Sequence, residues 1–198
     1  PGDTHEVLVG GASIPRLWFV TSNQECLVQV QADRFTRNWR RLAPASEPSR
    51  YPGYEVLKAD FFEEWSKLRD WYRDRNLGVR PANMAELLYL NTIPLANFGR
   101  LSDILAFFQP TRKTPVFLPH FAWSEEFATE YRGVASVDAK IGQTADGVPS
   151  LVVNLVAKFA LSGADETQWA ARFDAAHQSV IELLPHIFSQ EVLSQFGR

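Results

Sequence analysis

Residues 131–188 read YRGVASVDAKIGQTADGVPSLVVNLVAKFALSGADETQWAARFDAAHQSVIELLPHIF and carry two periodicities in succession. Apolar and polar residues alternate from Tyr131 to Ile141, and the alternation returns from Leu151 to Leu161. A period of two places successive side chains on opposite faces of a β-strand. Asp146-Gly147, between the runs, supplies the positive φ that a hairpin turn needs. The sequence therefore predicts an antiparallel hairpin of two long strands.

A helix is predicted directly after this hairpin. Asp165 and Gln168 have the spacing of a capping box, in which a carboxylate accepts from free helix N–H groups. Apolar residues then recur at helical spacing, at Trp169, Phe173, Ala176, Val180 and Leu184. Pro185 lacks an amide hydrogen and is expected to end or kink the helix near Leu184. Ser189 is expected to cap a last short turn.

The order strand, strand, long helix is also predicted earlier in the chain. The predicted elements are strands at Arg16–Val20, Cys26–Gln31 and Arg34–Leu42 and a helix at Lys58–Asn76. A further buried strand is predicted at Leu87–Ile93, ended by Pro94. We therefore predict an α+β fold, a curved antiparallel sheet built from two strand-strand-helix halves, with both long helices packed on one face.

The expected organisation is a single domain of residues 1–198 with pseudo-repeat halves at about 14–95 and 115–198. Val7–Ala12 is short and Gly-rich, so an N-terminal strand is predicted to be missing or truncated. Leu101–Phe108 is predicted as a short helix or amphipathic segment, and Pro110–Pro119 as an extended connection.

Composition narrows the class of protein. A net charge of −3 and a pI near 5.8 give no overall attraction to nucleic acid or to an anionic membrane. The single cysteine, Cys26, excludes an internal disulfide, and its alternation with Val28 and Val30 indicates a small core residue. No run approaches the ~18 to 20 apolar residues of a membrane span. We expect a cytoplasmic protein.

Several pieces of the chain carry a recognisable pattern. They are Leu17-Trp18-Phe19, LVQVQADRFTRNWR at 27–40, YPGYE at 51–55, YLNTIP at 89–94, and the ending from Ala176-His177-Gln178 to Phe196-Gly197-Arg198. Together they resemble a sporadically distributed, uncharacterised bacterial protein family. Members usually have one more strand at the start, and commonly Glu where this chain has Gln178. The resemblance implies a bacterial source and a soluble protein, with no reaction attached.

An arginine-rich strand is the first candidate contact surface. Its residues are Arg34, Arg37 and Arg40, with Arg16 nearby and Trp39 interleaved. Three interpretations are open, namely solvated edge arginines paired with acids, a contact with a protein partner or small anion, and binding of nucleic acid. Alternation places Arg37 on one face with Trp39, and Arg34 with Arg40 on the other, which weakens a continuous basic surface.

A second candidate is a pocket between the sheet and its helices, lined by Asn91, Asn154, His177 and Trp169. Buried amides must be hydrogen-bonded, so the asparagines either bridge strands or line this pocket. His177 is either a hydrogen-bonded boundary residue or a group that contacts a ligand or transfers a proton. The four histidines lack metal-ligand spacing, so no metal site and no cofactor are predicted.

Catalytic signatures are absent from the sequence, and no catalytic residue is assigned. The acidic clusters Asp60, Glu63, Glu64 and Glu125, Glu126, Glu130 are interpreted as helix-surface charge. The leading hypothesis is a non-enzymatic binding or protein-interaction module with an unidentified protein partner. Aromatic residues such as Trp123, beside Phe121, would serve as anchors. The alternatives are a small-molecule or enzymatic pocket and, more weakly, nucleic-acid binding through Arg34–Arg41. Long edge strands also allow a homodimer.

Overall fold

A computed structural model describes residues 5–8, 16–42, 51–78, 81–98, 100–107, 122–129, 133–144, 146–161 and 165–194. The chain divides into two compact units, residues 1–81 with 197–198, and residues 82–196. The strand predicted at Leu87–Ile93 therefore belongs to the second unit, although the sequence placed it in the first half. The single-domain organisation stays a prediction.

The first unit contains a sheet of four short strands that follow one another. They are β1 (His5–Leu8), β2 (Arg16–Val20), β3 (Cys26–Val30) and β4 (Phe35–Trp39), antiparallel and in the order β1-β2-β3-β4. A first strand is thus present and pairs with β2. This strand includes Val7, the first residue of the short segment Val7–Ala12 noted in the sequence. Residues 9–12 of that segment lie outside the described residues.

One long helix, α1 (Tyr54–Asp74), packs against β4. It begins before the predicted Lys58, directly after Gly53, whose φ of 94° suits only glycine. The chain leaves the helix through Asn76, the predicted last residue of this helix, which lies in the left-handed region with a φ of 53°.

The second unit contains longer strands in a different order. They are β5 (Met84–Pro94), β6 (Ala122–Thr129), β7 (Gly133–Gln143) and β8 (Pro149–Ala160), and the antiparallel sheet has the order β5-β8-β7-β6. The predicted hairpin is β7–β8, and Gly147 has the expected positive φ. The strand β6 was not predicted. Glu125 and Glu126 lie in it, so their assignment to a helix surface was wrong, whereas Glu130 lies outside the described residues.

Helix α2 (Glu166–Ile187) follows β8. The Asp165 side chain accepts from the Gln168 N–H at 3.1 Å, as predicted. Pro185 was expected to end or kink the helix near Leu184. The helix continues to Ile187 with Pro185 in its last turn, so an end at Leu184 was wrong, and a kink stays a prediction. Pro185 has no N–H, so the last turn of the helix loses one hydrogen bond. The Phe188 N–H still donates to the Leu184 carbonyl. Ser189 caps the short helix α3 (Gln190–Leu193). In the segment Leu101–Phe108, predicted as a short helix or amphipathic segment, the described residues contain a 3-10 turn at Leu101–Asp103.

The core of the second unit lies between its sheet and α2. Alternate residues of β7 and β8 are buried, as are the apolar residues of the α2 stripe; these are Ala135, Val137, Ala139, Leu151, Val153, Leu155, Ala157, Phe159, Trp169, Phe173, Ala176 and Val180. The α+β class with antiparallel strands is confirmed. The described strands form two sheets instead of one, each with its own helix, because β5 pairs along its whole length with β8 and not with a strand of the first unit.

Candidate functional site

Arg37 is held inside the first unit by two carboxylates of α1. Its Nη2 lies 2.6 Å from Asp60 Oδ2, and its Nη1 lies 2.6 Å from Glu64 Oε1. Asp60 and Glu64 are one helical turn apart and so point to the same side of α1. Only 10% of the Arg37 side chain is exposed. Arg37 is therefore part of an internal ion pair. This agrees with the interpretation of arginines paired with acids, although Arg37 is buried and not solvated, and a partner contact by Arg37 stays a prediction.

The same geometry corrects the interpretation of the first acidic cluster. Asp60 and Glu64 face β4 and are partly buried, and only Glu63 behaves as surface charge, paired with Lys67 at 2.5 Å. Burial raises the pKa of Glu64, and the nearby Arg37 opposes this rise. Burial also raises the pKa of the Cys26 thiol, which disfavours the reactive thiolate.

The remaining members of the arginine-rich strand do not form one surface. Trp39 lies on the α1 side with Arg37, and its ring centroid is 5.3 Å from that of Tyr51. Arg34 and Arg40 flank the ends of β4 and are exposed, and the Arg40 Nε donates to the Gln24 carbonyl at 3.0 Å. Arg16 is exposed at the start of β2. The central arginine is engaged internally, so a continuous basic stripe does not form among these residues.

A tyrosine–histidine pair joins β5 to α2 in the second unit. The Tyr89 hydroxyl lies 2.7 Å from Nδ1 of His177, and both side chains are half-buried. The hydroxyl can donate to an unprotonated Nδ1 or accept from a protonated one. Sequence reasoning did not identify Tyr89. Its alternation with Leu87, Asn91 and Ile93, which share its face of β5, is the signal that could have found it.

The four residues predicted to line one pocket are divided between two faces of the sheet. Asn91 lies on the α2 face, opposite the buried Val153, and Trp169 is buried on α2. Asn154 is the next residue after Val153, so the period of two places it on the other face. The prediction that Asn154 and His177 line the same pocket was therefore wrong, because they lie on opposite sides of the sheet.

The face of the second sheet away from α2 is called here the open face. Its exposed apolar side chains include Met84, Leu88 and Leu90, which are 59%, 51% and 62% exposed. They lie on one face of β5, with Glu86 between Met84 and Leu88. Val134 on β7 is also exposed. Val152 and Val156 of β8 lie between them and are half-buried. The prediction of Leu87–Ile93 as a buried strand was therefore wrong, because the side chains on one face of β5 are exposed.

The open face carries few charges near its apolar edge. Glu86 is the single charged residue of β5, and its carboxylate lies 3.6 Å from Lys158 Nζ on β8. Asn154 lies opposite both Leu90 and Asp138, at the middle of the face. The predicted anchor Trp123 lies in β6, and Phe121 lies outside the described residues.

Comparisons with protein-family models, curated proteins and solved structures give no match. The family resemblance drawn from the sequence therefore stays a prediction. Among the described residues, no helix is long and apolar enough to cross a membrane, and no three His, Cys, Asp or Glu residues are grouped as metal ligands.

Proposed function

We propose that this protein is a non-enzymatic binding module that accepts an apolar β-strand of a partner protein along β5. The observation that carries the proposal is the row of three exposed apolar side chains, Met84, Leu88 and Leu90, on one strand at the end of a sheet. Large exposed apolar side chains in a row are a feature of interaction surfaces.

The position of β5 supports a strand as the occupant. In the order β5-β8-β7-β6, β5 pairs with β8 on one side, and no other described strand pairs with its outer side. An edge strand offers N–H and C=O groups to another strand, and apolar side chains at alternate positions give such an addition its specificity. The open face therefore suits an extended apolar segment better than a helix.

Magnitudes favour a weak to moderate interaction. Complete burial of a Leu or Met side chain contributes about 1.5–3 kcal/mol. A strand added beside β5 covers only one flank of three half-exposed side chains, so this term contributes about 1–2 kcal/mol. Each new backbone hydrogen bond adds about 1 kcal/mol net. Association costs several kcal/mol, so both terms are needed for stable binding.

The apolar core of the second unit supports a binding role over an enzymatic one. The inward side chains of β7 and β8 are buried against α2 and are apolar. Nucleic-acid binding through Arg34–Arg41 is not proposed, because Arg37 is engaged by Asp60 and Glu64.

The test uses a probe strand, a soluble 12-residue peptide of alternating Val and Thr with Lys at both ends. We expect it to slow hydrogen exchange at the amides of β5, with little change in β7. A peptide with Pro at alternate positions cannot donate the same hydrogen bonds and serves as a control. The variant Leu88→Thr/Leu90→Thr should weaken binding at least tenfold, while Ile181→Gln, an exposed apolar site on α2, should not. The measurement is made at a chain concentration at which the protein is monomeric, and equal exchange of β5 with and without the probe under that condition would exclude the proposal.

One observation favours a second candidate function. The half-buried Tyr89–His177 pair unites two groups that can transfer a proton, with Asn91 on the same face of β5. A small molecule bound there should appear as a mass that native mass spectrometry detects on the purified protein and that denaturation releases. Loss of this mass in both Tyr89→Phe and His177→Gln would support the candidate, and a native mass equal to the bare chain would oppose it.

A further inference from the structure

We infer that the strand accepted by β5 is β5 of a second copy of the chain, paired about a two-fold axis that lies between the two strands and places Tyr89 opposite Tyr89 of the second copy. This inference rests on the proposed function and specifies its partner. Two antiparallel copies of β5 would join two four-stranded sheets into one sheet of eight strands, with the open faces continuous.

The pattern of β5 defines the register. The two faces of a joined sheet match only if exposed positions lie opposite exposed positions. This requires one residue of β5 to lie opposite its own copy, because any register in which a residue lies opposite its neighbour pairs exposed with covered positions. Tyr89 is the central residue of Met84–Pro94, so an axis there pairs the strand over its whole length. Leu88 then lies opposite Leu90 of the second copy, and the reverse, which makes a cluster of four leucines. An axis at Leu88 or Leu90 would leave residues at both ends unpaired.

Charge is compatible with this register, because only a register centred on Glu86 would place the two acids opposite each other. With the axis at Tyr89, the single acid Glu86 lies opposite Thr92 of the other copy, so no like charges meet. Glu86 is already near Lys158 on β8, within its own sheet. Like charges placed directly opposite each other destabilise a strand pair, and this arrangement avoids that cost.

The other edge of the same sheet is poorly suited to self-pairing. The centre of β6 (Ala122–Thr129) falls between Glu125 and Glu126. The two face-matched registers closest to that centre therefore place Glu125 opposite Glu125, or Glu126 opposite Glu126, of a second copy. The sequence of each edge thus selects β5 for association with a second copy.

The first part of the test measures mass against concentration by sedimentation equilibrium. We expect a reversible dimer whose dissociation constant rises about 100-fold or more in Leu88→Thr/Leu90→Thr, because four leucines leave the interface. Ile181→Gln should dimerise like the parent protein. Slow hydrogen exchange in β7 and β8 of each variant would show that the fold is retained.

The second part tests the register with cysteines in a Cys26→Ala background. A mixture of Leu88→Cys and Leu90→Cys chains should form a disulfide-linked heterodimer under mild oxidation, while either chain alone should link far less. A dimer that retains its affinity in Leu88→Thr/Leu90→Thr, or disulfides of Leu90→Cys with itself only, would overturn the inference. A monomer at every concentration whose β5 amides are still protected by the Val–Thr probe would overturn the second copy as partner and leave the binding function standing. A monomer without that protection would overturn both.

Discussion

The two units use the same layers, a four-stranded antiparallel sheet with one long helix, but fill them differently. Among the described residues, every side chain of the buried hydrophobic core belongs to the second unit. Helix α1 of the first unit contains no fully buried residue, whereas α2 buries five, including Trp169 and Phe173. The comparison shows that a shared arrangement of elements does not guarantee a comparable core.

Strand length accounts for much of the difference. A strand such as β4, with five residues, offers only two or three side chains to the helix, whereas β8, with 12 residues, offers twice as many. On β2, Leu17 and Phe19 share the α1 face of the sheet but remain exposed. The first unit depends more on specific contacts, which are the Arg37 ion pairs and the packing of Phe35 against Phe61 and Trp65 at centroid distances of 5.3 and 5.6 Å.

The largest expected effect comes from the core of the second unit. Leu155→Ala should lower the free energy of unfolding by about 2–5 kcal/mol, because Leu155 is almost completely buried and its truncation leaves a cavity. Hydrogen exchange of the β7 and β8 amides measures the change. Leu88→Ala, on the open face of the same sheet, should cost much less. Equal losses in the two variants would show that the second unit lacks the tight core described.

Arg37→Leu should produce the next largest effect, in the first unit. It leaves Asp60 and Glu64 partly buried without their cation, and we expect a loss of about 2 kcal/mol. This is below the cost for a fully buried pair because the Asp60 and Glu64 side chains are 38% and 27% exposed. Arg34→Leu, at an exposed site, should change stability by less than about 0.5 kcal/mol. The two variants are compared by urea unfolding, with hydrogen exchange of the β3 and β4 amides as the readout. A stable Arg37→Leu protein would contradict the role of the ion pairs.

Tyr89→Phe should weaken the second unit by about 1 kcal/mol, the usual net value of one hydrogen bond. The effect should be confined to β5 and α2, which the Tyr89–His177 bond joins. It is measured as faster exchange of the β5 amides, with Tyr72→Phe on α1 as a control in the other unit. Unchanged exchange in β5 would show that this bond does not hold β5 to α2.

Glu64→Gln should have the smallest effect, seen as a change in pH dependence. Burial raises the folded-state pKa of Glu64 above its ordinary value of 4.5, so the folded state binds the proton more tightly than the unfolded state. The resulting stabilisation is complete below the ordinary pKa and is lost as pH rises through the raised value. The parent protein should therefore lose stability relative to Glu64→Gln as pH rises above 4.5. Urea unfolding across pH 4–7 measures the difference, and a gain in that range would reverse the sign and contradict the prediction.

The sequence predicted the elements whose signals are local. The β7–β8 hairpin, the Asp165 cap and the apolar stripe of α2 follow from alternation, turn residues and helical spacing within a few residues. The strand β6 was missed because its Ser-Glu-Glu segment resembles a helix surface. Its strand conformation is stabilised by pairing with β7, which lies outside the local window.

The candidate sites were harder to predict because they depend on which elements meet. Alternation placed Arg37 on the inner face of β4, but its partners on α1 follow only from the packing of that helix. The Tyr89–His177 bond joins residues far apart in sequence, with no shared motif. The position of Asn154 could have been predicted correctly, because the period of two in β8 already places it on the sheet face opposite to that of Val153, which faces α2 and His177. Both faces of β5 carry apolar residues, so its sequence could not show which face is packed against α2 and which is exposed.

The strand order of the second sheet has a consequence for synthesis of the chain. β5 leaves the ribosome before β6 and β7, while β8, its pairing partner, is made last. At a translation rate of about 5–20 residues per second, several seconds pass between the synthesis of β5 and that of β8. During this time β5 has apolar residues on both faces and no paired strand. During that interval we expect the nascent chain to need a chaperone such as those that hold unfolded segments. Chains arrested before β8 should bind such a chaperone and be cut by protease within β5, whereas chains released after α2 should not.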